Sequence, residues 1–289
     1  MSNKTLNINL IENDSSFVKL VDLISDMWVS GFSFRLKRKI NGNNRIADTE
    51  EIESIKQARD LYFWNYSIQD LLEVNHELST GNSLQKSVEL LSYAKKMIIS
   101  NGNLLDEISV KNGTKIILQW GGVFKKGNRD KCIIPEYSLT KDYEEVSKVW
   151  NNILSGKSDF RLDDNFNFES NAGFTKVYSL ILDDFIIYDS RVSVALAYII
   201  QNSFTIEEVP DYLKLFIPPS YDQNNKRLVS PIFKSTNSNK KRHFFSNVIS
   251  NLILKSVAAK INLGKQEPDK VTLRDIEAAL FMIGYDIRN

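Results

Sequence analysis

Apolar residues recur at every third or fourth position along most of the chain, a spacing typical of amphipathic helices. The spacing is clearest in four stretches, at residues 48–78, 84–99, 140–154 and 273–283. Thr140 is a candidate cap for the third stretch, while Thr272 and Asp275 form a capping box before the last, which Gly284 ends. The pattern predicts a mainly α protein of about ten helices.

Strand signals are sparse by comparison. The clearest is TKIILQWGGVF at 114–124, a β-prone run that two glycines interrupt. Thr205 and Glu208 read as a further helix start. The proline pair at 218–219 and the Asn-, Ser- and Lys-rich stretch at 235–242 indicate surface loops. We therefore expect only a few short strands within a helical fold.

The stretch at 170–200 is the most informative, and its pattern predicts a helix, a short turn and a second helix. The first helix begins near Gly173 and carries Lys176 in its first turn. Asp189 stands where the second helix begins, ahead of a buried stripe that starts at Val192. Lys176 and Asp189 are thus the two polar residues that stand out against an apolar background.

Both residues have a chemical interpretation and an ordinary one. A helix N-terminus and a dry pocket disfavour an ammonium group, so we expect Lys176 to offer more neutral, nucleophilic amine. Asp189 as an N-cap is held by backbone N–H groups, and a carboxylate fixed there can stabilise positive charge in a substrate. The ordinary alternatives are that Lys176 is a solvated lysine and that Asp189 only caps its helix.

Composition narrows the class of protein. The single cysteine, Cys132, excludes a disulfide framework and a cysteine-rich zinc site. His76 and His243 lack the spacing of metal ligands, so we expect no metal. The N-terminus has no apolar core of the secretory kind, and the apolar stretch near 192–200 is about half of what a membrane span needs. We expect a cytoplasmic monomer that does not enter a membrane.

The net charge of +1 counts modestly against a protein that grips nucleic acid along its length. Cations are nevertheless concentrated at 35–45, 125–131 and 225–242, while acids gather at 48–53 and 163–169. A nearly neutral chain can therefore present one positive face. The alternative is that each basic run is a solvated loop.

The central stretch resembles the catalytic core of the helix-hairpin-helix DNA glycosylase superfamily, and most closely its bacterial branch related to 8-oxoguanine glycosylases. The matching residues are Gly173, Thr175, Lys176, Asp189, Arg191 and Val192. The run Trp120-Gly121-Gly122 and the ending LRDIEAALFMIGYDI at 273–287 are also similar to that branch. The chain departs from the family's Leu-Pro-Gly-Val-Gly hairpin, since Ser-Asn-Ala-Gly-Phe at 170–174 keeps one glycine.

The resemblance implies a single glycosylase-like unit over 1–289 with two helical lobes, at about 1–135 and 136–289. It implies that a base is flipped out of the duplex and excised, with Asp189 stabilising the sugar cation as the base leaves. If Lys176 attacks C1′, a Schiff base forms and strand cleavage can follow; if water attacks, an abasic site results. No cofactor is expected.

With that chemistry, two further groups of residues have expected roles. Those expected to contact DNA are Gly173, Thr175, Lys125, Lys126, Arg129 and Arg191. Those expected to line the pocket for the flipped base are Trp120, Gly121, Gly122 and Tyr188. The ordinary alternatives are core packing for the two aromatic residues and an ion pair for Arg191.

The sequence leaves the substrate and the activity itself open. An 8-oxoguanine-like lesion and a hypermodified phage base, such as glucosylated hydroxymethylcytosine, are the two substrate hypotheses, and the second implies antiviral defence. Two other classes remain: a catalytically inactive module that recognises modified DNA, and a helical interaction protein with no nucleic-acid role. Only the last would lack salt-dependent DNA binding.

Overall fold

The computed structural model describes residues 5–6, 8–39, 46–69, 76–155, 160–161, 166–215, 233 and 240–287. Within these residues the chain is mainly helical, which confirms the predicted class. Eleven α-helices are present in the described part: α1 Ile8–Glu12, α2 Ser15–Val29, α3 Ile55–Asp60, α4 Leu84–Lys96, α5 Glu107–Trp120, α6 Lys126–Ile133, α7 Leu139–Leu154, α8 Phe174–Ile181, α9 Ser190–Ser203, α10 Lys240–Ile261 and α11 Leu273–Ile283.

The strands of the described part are short and form antiparallel pairs. The pairs are β1 Thr5–Leu6 with β8 Phe160–Arg161, β2 Phe34–Lys39 with β3 Ile46–Ile52, β4 Tyr66–Ser67 with β5 Thr80–Gly81, and β6 Ile99–Ser100 with β7 Asn103–Leu104. In the longest pair Phe34 lies opposite Ile52, and the register shifts between Arg38 and Lys39. The strands are thus short paired additions to a helical protein.

The chain divides into two compact units, each described here by itself. The first unit comprises Met1–Tyr62, Asp159–Asp163 and Tyr188–Asn289, and the second comprises Phe63–Ser158 and Asp164–Ile187. The lobe boundary predicted near residue 135 lies inside the second unit. Lys176 belongs to the second unit and Asp189 to the first.

The core of the first unit forms around α10 and α11. Helix α10 packs against α2 and α11, and α11 also packs against α3 and α9. Every residue of α10 from Phe244 to Leu254 is buried, including polar ones. Ser250 Oγ donates to the carbonyl of Ser246 at 2.8 Å, and Asn251 Nδ2 donates to that of Asn247 at 2.8 Å, so these polar groups are satisfied within the helix. A helix buried all round carries no amphipathic pattern.

The core of the second unit is aromatic and surrounds α5, which packs against α4, α7 and α8. Tyr143 and Tyr178 meet edge to face with their ring centroids 5.9 Å apart, and Trp150 meets Phe185 in the same way at 5.0 Å. The indole N–H of Trp150 donates to the carbonyl of Asp183 at 2.8 Å, which fixes the turn after α8. This core holds the helix that carries Lys176.

Several local predictions are confirmed. Helix α4 lies within 84–99, and α11 begins with the capping box of Thr272 and Asp275 and ends at Gly284. Helix α7 follows the predicted spacing, although its cap is Ser138 rather than Thr140. Gly173 and Asp189 are the N-caps of α8 and α9, as the central pattern predicts.

The predicted strand at 114–124 is wrong, because residues up to Trp120 belong to α5. The predicted helix or helix pair at 48–78 is also wrong for most of its length. The structure has β3 up to Ile52, then the short helix α3, which Ser54 caps, and later β4. In both places long-range packing overrides the local preference of the sequence.

Two further predictions concern loops and caps. Glu208 does accept the backbone N–H of Thr205 at 2.8 Å, but the segment makes a turn rather than a helix, and it ends at Pro210. Residues 240–242 of the predicted surface loop are the start of α10, so that part of the prediction is wrong. The rest of that loop, at 235–239, and the proline pair at 218–219 lie outside the described residues.

Candidate active site

In the second unit, Asn171 organises the start of α8. Its side-chain oxygen accepts the backbone N–H groups of Gly173 at 2.8 Å and Phe174 at 3.1 Å, which satisfies two donors of the first turn. Its amide group donates to the side-chain oxygen of Asn128 on α6 at 3.1 Å. A Cβ on Gly173 would collide with Asn128. The absence of a side chain at Gly173 therefore suits the packing between α8 and α6, since a Cβ there would displace the amide of Asn128.

Lys176 lies in the first turn of α8 and is only 4% exposed. Its Nζ donates to the carbonyl oxygen of Ala172 at 2.8 Å. The lysine stem lies against Gly121, since a Cβ on that glycine would stand 2.5 Å from Lys176 Cδ and 2.6 Å from its Cε. Gly121 follows the last residue of α5, so the amine lies between the start of one helix and the end of another. The alternative in which Lys176 is a solvated surface lysine is therefore wrong.

The run Trp120-Gly121-Gly122 forms the end of α5. Trp120 is 4% exposed; its indole donates to Ser87 Oγ at 3.2 Å, and its carbonyl accepts from the indole of Trp64 at 2.7 Å. Gly122 has a φ of +64°, a left-handed conformation that glycine adopts without strain. In this structure Trp120 offers no open ring face, the two glycines terminate α5, and Gly121 makes room for Lys176.

The remaining expected DNA contacts of this unit differ in accessibility. Thr175 is fully buried, so its side chain presents no surface to a phosphate in this structure. Lys125, Lys126 and Arg129 are exposed on the first turns of α6, although Arg129 Nε lies 3.8 Å from the carboxylate of Asp130. The exposed cations of α6 are therefore accessible to a polyanion.

In the first unit, Asp189 fixes the start of α9. Its Oδ1 accepts the backbone N–H groups of Arg191 at 2.9 Å and Val192 at 3.2 Å. These bonds hold the carboxylate in one direction at the positive end of the helix dipole. Asp189 is partly exposed to solvent. The geometry meets the requirement of a carboxylate fixed in direction.

Arg191 is held by the end of α11. Its guanidinium group lies 4.1 Å from the ring centroid of Phe281 and 4.8 Å from that of Tyr285. A Cβ on Gly284 would overlap the backbone carbonyl of Arg191, so α9 and α11 approach as closely as a glycine permits. The C-terminal stretch therefore shapes the surroundings of Asp189.

Tyr188 is 1% exposed and donates from its hydroxyl to Ser193 Oγ at 3.2 Å. Its ring meets His243 edge to face, with the centroids 5.3 Å apart. Burial lowers the pKa of the neighbouring Arg242 below its ordinary value, and the interaction with Tyr188 opposes this shift. The start of α10 thus flanks the start of α9. Sequence patterns could not predict this contact, because the two segments are about fifty residues apart.

A cluster of titratable side chains in the second unit was also missed. Asp142 is 8% exposed and accepts the hydroxyl of Tyr137 at 2.5 Å. Burial raises the pKa of Asp142, and the hydrogen bond from Tyr137 opposes that rise. Lys131 pairs with Glu169 at 3.1 Å, and the carbonyl of Glu169 accepts the hydroxyl of Tyr178 at 2.6 Å. The cluster anchors the segment that leads into α8.

Among the described residues, no group of three or more His, Cys, Asp or Glu side chains is arranged to hold a metal ion. The same residues include no helix with the length and apolar character needed to span a membrane. No family model matches the chain, and neither the curated proteins nor the solved structures contain a match. The interpretation of the site therefore depends on the chemistry of its residues.

Proposed function

We propose that this chain is a DNA N-glycosylase with a two-lobed, helix-hairpin-helix-like fold. The observation that carries the proposal is the burial of Lys176 in the first turn of α8, where Gly121 makes room for its stem. Lysine is rarely buried, because removing an ammonium group from water is costly. An amine kept in such a place has a role that solvation does not explain, and nucleophilic attack is the role that its chemistry favours.

Asp189 supplies the second part of the proposed chemistry. The C1′–N bond breaks with its electron pair passing to the base, which leaves after taking up a proton, and the sugar becomes an oxocarbenium ion. The carboxylate, fixed by two backbone N–H groups, stabilises that cation. In the lysine route the neutral amine then bonds to C1′ and loses a proton. The C1′–O4′ bond breaks, O4′ takes its electron pair and that proton, and a protonated Schiff base joins C1′ to the lysine nitrogen. The convergence of Lys176 and Asp189 on C1′ remains a prediction.

DNA is the proposed partner, and a monomer acting in the cytoplasm without a cofactor is the proposed form. The exposed cations of α6 support a contact with the phosphate backbone. The substrate is either an 8-oxoguanine-like lesion or a hypermodified base such as glucosylated hydroxymethylcytosine. The divergent hairpin and the Lys- and Asn-rich composition favour the second, which places the enzyme in antiviral defence.

The test uses oligonucleotides that carry 8-oxoguanine, uracil, alkylated bases or glucosylated hydroxymethylcytosine, followed by alkali treatment. A parallel sample contains borohydride, which traps a Schiff base covalently. We expect base release by the natural chain, a trapped adduct, and loss of both in Lys176→Gln. Alkali-labile sites without an adduct would indicate water as the nucleophile. DNA binding without base release from any substrate would indicate an inactive recognition module.

Asp189→Asn separates the chemical role of Asp189 from its role as a cap. Asparagine is as good an N-cap as aspartate, so the free energy of unfolding should change by less than about 1 kcal/mol while base release is lost. Asp106→Asn is the matched control, because Asp106 caps α5 through the N–H groups of Ile108 and Ser109. If both variants excise bases at the natural rate, Asp189 is only a helix cap.

A further inference from the structure

A cleft in the first unit lies where α3, the end of α2 and the loop before α11 meet. Its volume is about 510 Å³, within the range of sites that hold small ligands. Trp28, Val29 and Pro268 supply apolar walls. The charged residues that line it are Lys56, Arg59, Lys265, Lys270, Asp269 and Asp275. Four cations and two carboxylates line the cleft, so the lining residues carry a net charge of +2, while Asp60 and Glu267 lie next to two of the cations.

The frame of the cleft is built by hydrogen bonds within the loop and to α11. The side chain of Asn262 accepts the N–H of Val271 at 2.8 Å and donates to its carbonyl at 2.8 Å, which closes the loop between them. Arg59 pairs with Asp275 at 3.0 Å and so ties α3 to the first turn of α11. The loop backbone and the side chain of Arg59 are therefore held in place before a ligand binds.

The charges of the cleft are unequally engaged. Arg59 is neutralised by Asp275 and by Asp60 at 2.8 Å, and Lys270 lies 3.5 Å from Glu267. Lys56 and Lys265 form no ion pair with any residue that the structure describes. Lys56 lies on α3 and Lys265 lies in the loop after α10, and both line the same cleft, so together they create a positive field that attracts a compact anion.

We infer that this cleft binds phosphate groups, with Lys56 and Lys265 as the two cationic contacts. Lysine binds phosphate as a point charge and needs no bidentate geometry, which suits two ammonium groups that come from different elements. The phosphate source is either the DNA backbone or a small phosphorylated molecule. The site does not require base excision, since none of the residues proposed for that chemistry lines the cleft.

The experiment compares the full chain with the double variant Lys56→Gln/Lys265→Gln. The matched control is Lys96→Gln/Lys148→Gln, which removes the same charge from exposed lysines of α4 and α7. Calorimetry measures binding of inorganic pyrophosphate, and fluorescence anisotropy measures binding of a short unmodified duplex at several salt concentrations. Circular dichroism establishes that the variants are folded.

We expect the cleft variant, and not the control, to lose roughly tenfold or more in affinity for at least one probe, because each lysine neutralises phosphate charge. Loss for pyrophosphate identifies a small-molecule site. Loss for DNA alone, with a salt slope reduced by about 0.9 per lost phosphate contact, identifies a backbone contact. Asp269→Asn, which removes a negative charge from the cleft, should strengthen the same binding.

The inference is overturned if the natural chain binds neither probe, or if the cleft and control variants behave alike. Base release from modified oligonucleotides is measured on the same variants. Retained excision with lost cleft binding, or the reverse, separates the phosphate site from the proposed glycosylase chemistry.

Discussion

Gly121 has no side chain, and this absence leaves the space that the side chain of Lys176 occupies. The lysine stem occupies the space that a Cβ on Gly121 would fill, and its amine reaches the carbonyl of Ala172 at 2.8 Å. From the sequence the glycine was expected to line a pocket for a base. The structure places Gly121 beside the lysine, so the glycine helps to set the position of that amine, while its role in a base pocket stays a prediction.

Gly121→Ala should lower the free energy of unfolding by about 1–3 kcal/mol, since Lys176 is enclosed and must leave its place. If the amine is the nucleophile, the rates of base release and borohydride trapping should fall even under conditions where the variant is fully folded. Urea unfolding measures the first quantity and the oligonucleotide assay the second.

Gly127→Ala is the control for that substitution. Gly127 is an exposed residue of α6, and nothing lies within 4 Å of a Cβ placed on it. Alanine there should be neutral or stabilise by up to about 1 kcal/mol. Equal stability of the two variants would show that the space beside Gly121 is larger than the structure indicates.

At the scale of elements, the N-terminus of α7 is capped by a carboxylate that belongs to another helix, α5. Glu107, the first residue of α5, accepts the N–H groups of Leu139 at 2.7 Å and Thr140 at 3.1 Å and the hydroxyl of Ser138 at 3.0 Å. Burial acts to raise the pKa of Glu107, but these hydrogen bonds, with that from the Thr140 hydroxyl, outweigh it and lower the pKa. One side chain thus joins two helices of the second unit.

Glu107→Gln should destabilise the chain by about 1 kcal/mol at neutral pH, a figure that allows for screening by water. Because the pKa is lower in the folded state, the stabilisation by Glu107 is fully present above its ordinary value of 4.5 and is lost as pH falls through the folded-state pKa. The difference between variant and natural chain should therefore shrink in acid.

Urea unfolding at several pH values tests this, with Glu136→Gln as the control at an exposed position. A difference that stays constant down to strongly acidic pH would mean that Glu107 stabilises α7 by packing rather than by charge.

At the scale of the whole molecule, burial differs sharply among the helices. All residues of α10 from Phe244 to Leu254 are buried, and so is most of α9. Helix α6 has Cys132 as its only buried residue. Because local opening exposes little apolar surface where few residues are buried, α6 should open far more easily than the other two.

Hydrogen exchange followed by mass spectrometry should find the slowest amides in α9 and α10 and fast exchange in α6. The second unit supplies an internal comparison, since α5 has many buried residues and packs beside α6. Protection of α6 equal to that of α10 would contradict the expectation. Slowing of α6 exchange upon addition of DNA would support the proposed backbone contact.

The sequence by itself determined the features that depend on residues within one helical turn. The N-cap at Asp189, the capping box of Thr272 and Asp275, and the start of α8 at Gly173 were predicted because a cap is a contact between neighbours in the chain. The mainly helical class followed from periodicity for the same reason.

Only the tertiary structure decided the rest. The β-prone run at 114–120 is helical because α5, to which it belongs, packs against four helices. Helix α10 was missed because burial on every side leaves no amphipathic period to detect. The place of Gly121 beside Lys176 and of His243 beside Tyr188 depends on contacts between residues more than fifty positions apart. Such contacts arise from the packing of whole elements, which local sequence preferences do not encode.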